Sequence, residues 1–228
     1  MQSLIIGAGE VGKALYWTLE GVYPIEIIDR DGDYKGEAEV LHICFPYSKS
    51  FIGDVKDYIE IYRPKYTVIH STVPVGTSRQ CQAFHSPVMG IHPKLGKCLK
   101  VFIKYLAPKD LKLKKYFEGA GIKIRLVDKT EETEALKLWE TTQYGLFIVL
   151  NREIYDFCER NDLDFNLVYT EANRNYNQGY GKLGMGYVTR PILKHMTGKI
   201  GGHCIIPNCD FLDSPITKFI KRLNKNWR

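Results

Sequence analysis

Residues 3–20, SLIIGAGEVGKALYWTLE, decide how the rest of the chain is read. Ser3 to Ile6 form an apolar run too short for a helix and closed at once by glycine, which predicts a buried strand. Val11, Leu15 and Leu19 then recur every four residues, a spacing that puts their side chains on one face of a helix. Between strand and helix lies Gly7-Ala8-Gly9-Glu10-Val11-Gly12, a G-x-G-x-x-G stretch. A second apolar run, PIEIIDRD (24–31), carries Asp29 seventeen residues after Gly12.

Each of these residue types has a physical reason to stand where it does. Gly7 permits the turn, Gly9 lets a pyrophosphate approach backbone N–H groups, and Gly12 lets the helix pack close to the strand. Glu10 and Val11 open the helix whose N-terminus faces the phosphates. Asp29 would accept hydrogen bonds from the ribose hydroxyls of an adenosine and repel a 2′-phosphate, which favours NAD over NADP. Arg30 beside it weakens that preference without reversing it. Strand, glycine turn, helix and acidic residue together predict a dinucleotide site.

Further short apolar runs follow: EVLHICFP (39–46), KYTVIHST (65–72), SPVMGIHP (86–93), LKVFIKYL (99–106) and GIKIRLVD (121–128), with an amphipathic FIGDVKDYIEIY (51–62) between the first two. We read them as strands alternating with helical segments, hence βαβ units and a parallel sheet buried on both faces. The fold class expected is α/β, a Rossmann-type doubly wound sheet over residues 1–128. Ligands of such sheets bind beyond the carboxyl ends of the strands, so Phe45 and Pro46, with Ser71 and Thr72, are expected to line the crevice.

From Thr130 the texture changes. TEETEALKLWETTQYGLFIVLNREIYDFCERN (130–161) runs without proline and opens on a threonine followed by acidic residues, which predicts one long helix. Its central part, Tyr144 to Leu150, is apolar nearly all round and calls for burial against another domain or subunit. A homodimer through the 130–160 helix is expected. Residues 129–228 form a smaller all-helical domain ending in a basic helix.

The 228 residues suffice for a core without disulfides, and the six cysteines include no CxxC pair, so reduced thiols are expected. The N-terminus lacks a basic n-region and no apolar run is long enough to span a bilayer, which predicts a cytoplasmic protein with no membrane partner. The formal charge of +6, concentrated at Lys112, Lys114, Lys115 and the tail KRLNKNWR, suits an anionic ligand. Interleaved acidic residues disfavour nucleic acid. GGHCIIPN (201–208) leaves Cys204 open as a nucleophile, a buried thiol or, with His203 and Cys209, a metal ligand; the spacing is wrong for a zinc cluster, and no metal is expected.

STVPVGTSR (71–79), TEALKLWETTQYGLFIVLNRE (133–153) and GKIGGHCIIPN (198–208) occur in the order of three motifs of the UDP-glucose/GDP-mannose dehydrogenase family, and over most of its length the chain resembles that family, UDP-N-acetylmannosamine dehydrogenases included. The resemblance implies NAD-dependent oxidation of an alcohol carbon of a small-molecule substrate, a nucleotide sugar, through a thiohemiacetal and a thioester on cysteine. Carried over by position, Cys204 is the nucleophile, Lys137 stabilises the oxyanion and Thr72 orients a water. A thiolate is a good acyl carrier, and an ammonium group can neutralise an alkoxide.

The departures point the other way. Thr141 stands where the family has an asparagine, and Asn208 where it has an aspartate; asparagine cannot act as a general base. Asp210 is the nearest substitute, and His92 and Lys94 replace a family glutamate. Asn151, fourteen residues from Lys137, is nearly in phase with it and could face the same cleft or hold a domain contact. The family's third, nucleotide-gripping domain is not expected in this chain. The alternative readings are a non-catalytic NAD-binding or sensor protein, and a subunit that completes its site with a partner chain.

Overall fold

The computed structural model describes residues 1–30, 32–202 and 204–227. The chain divides into two compact units, Met1–Leu138 and Trp139–Arg228.

In the first unit the strands β1 (Ser3–Ile6), β2 (Ile25–Ile28), β3 (Val40–Ile43), β4 (Tyr66–Ile69) and β5 (Phe84–His85) form one parallel sheet in the order β2-β1-β3-β4-β5. Ile6 lies between Ile28 and Ile43 in register. β1, β3 and β4 are buried at every position, which is why they read as unbroken apolar runs. The pleat sends alternate residues to two cores. On one face Ile5, Val40 and Val68 meet helices α1 (Glu10–Leu19), α4 (Leu95–Val101) and α5 (Leu111–Gly119) through Leu15, Leu99 and Phe117. On the other, Leu4, Leu41 and Ile69 meet α2 (Phe51–Tyr62) through Phe51 and Val55. This is the doubly wound architecture expected.

The later strands differ from the sequence reading. SPVMGIHP is not a strand; β5 is the two residues before it. Pro87, Pro93 and a positive φ of 139° at Gly90 keep the segment irregular. LKVFIKYL divides between the end of α4 and β6 (Lys104–Leu106), because Leu95, Cys98 and Leu99 are buried at helical spacing. β6 pairs in parallel with β7 (Ile124–Leu126) as a separate ribbon, joined to β5 by reciprocal hydrogen bonds between His85 and Ala107. A short helix, α3 (Thr77–Gln80), follows β4.

Helix α6 (Thr130–Arg160) is the single long helix expected. In the second unit come a π-helical segment (Asn166–Glu171), α7 (Ala172–Lys182), a 3₁₀ turn (Gly186–Val188), α8 (Ile205–Asn208) and α9 (Pro215–Asn226). Val149 on α6 packs with Cys209, Ile220 and Trp227. α9 starts cleanly, with Pro215 in its first turn and the Ser214 hydroxyl accepting the Ile216 N–H at 3.2 Å. The second unit is thus helical with long irregular connections. Among the described residues no helix is long and apolar enough to cross a membrane.

Candidate functional site

The sheet order changes direction between β1 and β3, and the loops leaving these two strands meet there. Gly7 has φ 107°, and a Cβ on it would fall 2.8 Å from the Phe45 backbone nitrogen. Only glycine allows both the conformation and the approach. A Cβ on Gly12 would run into the Gly7 carbonyl, so α1 can sit close only because both are glycine. Gly9 and Glu10 are exposed and Val11 is half-buried, leaving the backbone of the first turn of α1 accessible at the mouth. Such an N-terminus, with N–H groups free of intrahelical partners, is a cradle for phosphate.

Asp29 follows the last residue of β2, and its Oδ1 accepts the Arg30 N–H at 2.9 Å. The Arg30 guanidinium pairs with Asp54, donates to Ser50 Oγ at 3.2 Å and lies 5.6 Å from the centre of the Phe45 ring. Glu10 meets His92 Nδ1 at 3.3 Å, so the histidine that stands in the loop after β5 reaches the glycine-rich turn. Phe45 is buried and Pro46 exposed.

The other wall is pinned from three sides. Ser71 Oγ donates to the Phe45 carbonyl at 2.6 Å. The buried His85 spans the Ser71 carbonyl, 3.2 Å from Nε2, and Thr133 Oγ1, 2.8 Å from Nδ1. The Glu134 carboxylate accepts the N–H groups of Gly76 at 2.6 Å and Ser78 at 2.7 Å. Burial raises the pKa of Glu134, and these hydrogen bonds oppose the rise. Thr72, half-buried, sits in the loop so held.

Behind this wall lies a buried polar chain that the sequence reading missed. His70 Nδ1 donates to the Ser86 carbonyl at 2.8 Å, which leaves its Nε2 to accept from His42 Nδ1 at 2.9 Å. His42 Nε2 in turn accepts from the Tyr116 hydroxyl at 3.0 Å, and Tyr116 meets Ser3 Oγ at 2.8 Å. The carbonyl fixes the direction of His70, and burial, which pushes the pKa of His42 down to about 3 and that of His70 well below 6.5, keeps both histidines neutral and so sets the direction of the rest of the chain. Lys104, 3% exposed, donates to the carbonyls of Ser86 at 2.5 Å and Pro87 at 3.0 Å. Burial pushes its amine down to about 7, the nearby Cys44 side chain opposes that, and the charge of Lys137 adds to it.

The cysteine loop belongs to the second unit. All six cysteines are free, and of these Cys204 is the exposed one. Burial pushes the thiols of Cys44 and Cys81 up to about 12 and about 11 and raises that of Cys209. A thiol held up in this way is a poor nucleophile at neutral pH. Cys204 immediately precedes α8; His203 lies outside the described residues. Asn208, buried, donates from Nδ2 to Thr141 Oγ1 at 3.4 Å, so two of the residues that depart from the pattern of the resembling family touch each other. Among the described residues no three His, Cys, Asp or Glu side chains converge as a metal would require.

The irregular segment leading to Cys204 is tied down by side chains. Asn177 brackets Arg190 at 2.9 and 2.8 Å, and the Tyr169 hydroxyl meets Leu193 N and Pro191 O at 3.0 and 3.3 Å. Asn151 donates to Leu193 O at 3.1 Å, so its amide helps hold this segment, a strap before Cys204. Asn224 brackets Ile200 at 2.6 and 3.3 Å. Lys137, half-buried on α6, falls in the first unit, whereas Cys204 and Asn208 fall in the second.

Comparison with protein-family models finds no match, and comparison with curated proteins finds none. Solved structures are similar. A UDP-D-ManNAc dehydrogenase from Pyrococcus horikoshii matches over 99% of this chain and 68% of its own, with 15% identity and a TM-score of 0.78. A UDP-glucose dehydrogenase from Pyrobaculum islandicum matches over 99% and 68%, with 16% identity and a TM-score of 0.73. A 3-hydroxyisobutyrate dehydrogenase from Mycobacterium tuberculosis matches over 99% and 93%, with 14% identity and a TM-score of 0.71. The chain shares the fold of these dehydrogenases.

Proposed function

We propose that the protein is an NAD-dependent oxidoreductase resembling the nucleotide-sugar 6-dehydrogenases, with a Rossmann-type cofactor domain and a helical domain that carries the cysteine loop and the dimer contact. The observation that carries this reading is the crevice at the β1/β3 switch point, where Gly7 and Phe45 meet and Asp29 directly follows the neighbouring strand β2. Gly7, Gly9, Glu10, Val11 and Gly12 would hold the pyrophosphate, Asp29 the ribose, and Phe45, Pro46, Ser71 and Thr72 would line the crevice. The cofactor, when bound, supplies the hydride acceptor.

Cys204 would add through sulfur to an aldehyde carbon, giving a thiohemiacetal and, after loss of a second hydride, a thioester that water hydrolyses to a carboxylate with return of the thiol. Lys137 would neutralise the oxygen on that carbon, and Thr72 would orient the water. Exposure of Cys204 supports its part, because the remaining thiols are buried. Asn208 would orient neighbouring groups without carrying a proton. A reducing cytoplasm goes with this reading, because a nucleophilic thiol has to stay reduced to act.

Phe147, Leu150, Ile154 and Phe157 follow one another on α6 at spacings of three, four and three, and Leu150 and Phe157 are half-exposed. A seam of this kind supports a homodimer through the 130–160 helix.

The Asn208–Thr141 hydrogen bond favours one second reading, a non-catalytic NAD-binding or sensor protein, because it ties up in a neutral pair the residue that stands where the resembling family has an aspartate. Calorimetric binding of NAD⁺, combined with NADH formation from a panel of UDP-sugars and small hydroxy acids, separates the two. The enzyme reading expects turnover that Cys204→Ser abolishes while NAD⁺ binding survives. Binding of NAD⁺ without any Cys204-dependent turnover or aldehyde trapping leaves the sensor reading.

A further inference from the structure

We propose that Asp54 determines cofactor specificity: by engaging the Arg30 guanidinium it withholds from a 2′-phosphate the cation that follows Asp29, and so enforces NAD over NADP. The proposal rests on the dinucleotide reading above and adds a residue on a different element, α2, that no glycine motif identifies.

Arg30 stands one residue beyond Asp29 at the carboxyl end of β2, where an arginine commonly accommodates a 2′-phosphate. Here it is taken up. Ser50, Asp54 and Tyr58 follow one another at intervals of four along α2 and its N-terminal cap, hence on one face. All three hold Arg30. Asp54 pairs with the guanidinium, Ser50 Oγ accepts from it at 3.2 Å, and the Tyr58 hydroxyl donates to the Arg30 carbonyl at 2.5 Å. Ser50 also donates to Asp54 Oδ2 at 2.9 Å, fixing the carboxylate. The Phe45 ring at the floor of the crevice lies 5.6 Å from the guanidinium carbon, so the clamp is set beside the expected ribose position.

The electrostatic consequence follows from charge counting. Among the described residues, a 2′-phosphate dianion approaching Asp29 would meet the Asp29 and Asp54 carboxylates and a cation, Arg30, already neutralised by one of them. NADP is therefore disfavoured twice, by repulsion at Asp29 and by the engagement of Arg30. Asp54 and Arg30 are 22% and 43% exposed, and ion pairs of that exposure contribute little to folding. The pair therefore matters more for what binds beside it than for the fold.

The test is calorimetric titration of NAD⁺ and NADP⁺ into wild type, Asp29→Ser, Asp54→Asn, the double variant, and the double variant with Arg30→Ala added. Thermal unfolding of each variant establishes that it is folded. Wild type is expected to prefer NAD⁺, and Asp29→Ser alone to gain little for NADP⁺. The double variant is expected to gain about tenfold or more in NADP⁺ affinity beyond the product of the single changes, the scale of a charge-assisted hydrogen bond to phosphate. Arg30→Ala should remove that gain. Full NADP⁺ affinity in Asp29→Ser alone, or a gain that survives Arg30→Ala, overturns the proposal while the NAD reading stands. A wild type that binds neither nucleotide overturns the dinucleotide reading and this proposal with it.

Discussion

His42, His70 and His85 are neutral side chains sealed in the core, and that makes them sensors of acid. Burial pushes His42 and His85 down to about 3 and His70 well below its ordinary value of 6.5. In the unfolded chain each would protonate near 6.5, so below that pH the unfolded state binds protons that the folded state refuses. The stabilisation is complete above pH 6.5 and is lost as pH falls toward about 3, at up to about 1.4 kcal/mol per pH unit for each histidine. Urea denaturation at about pH 7.5 and about pH 5.5 should show a marked drop in stability; a flat profile would contradict the neutral chain. None of this was legible beforehand. His42 and His70 looked like single polar residues inside apolar runs, and their partners Tyr116 and Ser86 lie far along the chain. Glu134 escaped for the same reason: it reads as a surface acid on a helix, yet its hydrogen-bond partners are 56 and 58 residues away. The glycines of the turn were legible because their requirement is local.

At the scale of elements, α6 and α8 come together through a missing side chain. A Cβ on Gly145 would fall 2.7 Å from Ile205 Cγ2 and 3.5 Å from Ile220 Cδ1. Ile205 is the first residue of α8, directly after Cys204. Gly145→Val should therefore displace the cysteine loop at about 1–3 kcal/mol, the usual range for overfilling a packed site. Alkylation of Cys204 should change in rate while NAD⁺ binding does not; an unchanged rate would disconnect Gly145 from the loop. The extent of α6 was readable because no proline interrupts a helical composition. α4 was not, since its buried Leu95, Cys98 and Leu99 run straight into the β-prone Val101-Phe102-Ile103. The π-helical turn at Asn166–Glu171 has no sequence signal of its own.

For the whole molecule, the exposed seam on α6 makes the oligomeric state the measurable quantity. Light scattering should give a dimer for wild type and a monomer for Leu150→Glu with Phe157→Glu, because a charge in an apolar seam is left unpaired on association; a monomeric wild type would remove the dimer from the reading. The doubly wound architecture was legible because β1, β3 and β4 are buried on both faces and leave an unmistakable apolar record. The second unit was legible only as helical, since its order rests on isolated polar contacts between distant residues. The strap before Cys204 shows what that means for motion. Its amides and carbonyls are held one at a time by Asn151, Tyr169, Asn177 and Asn224. A strand in a sheet frees itself all at once or not at all, but catches of this kind release separately, each for about 1 kcal/mol. Loop opening should be graded, so a bulky ligand can lift part of the segment without unfastening the rest.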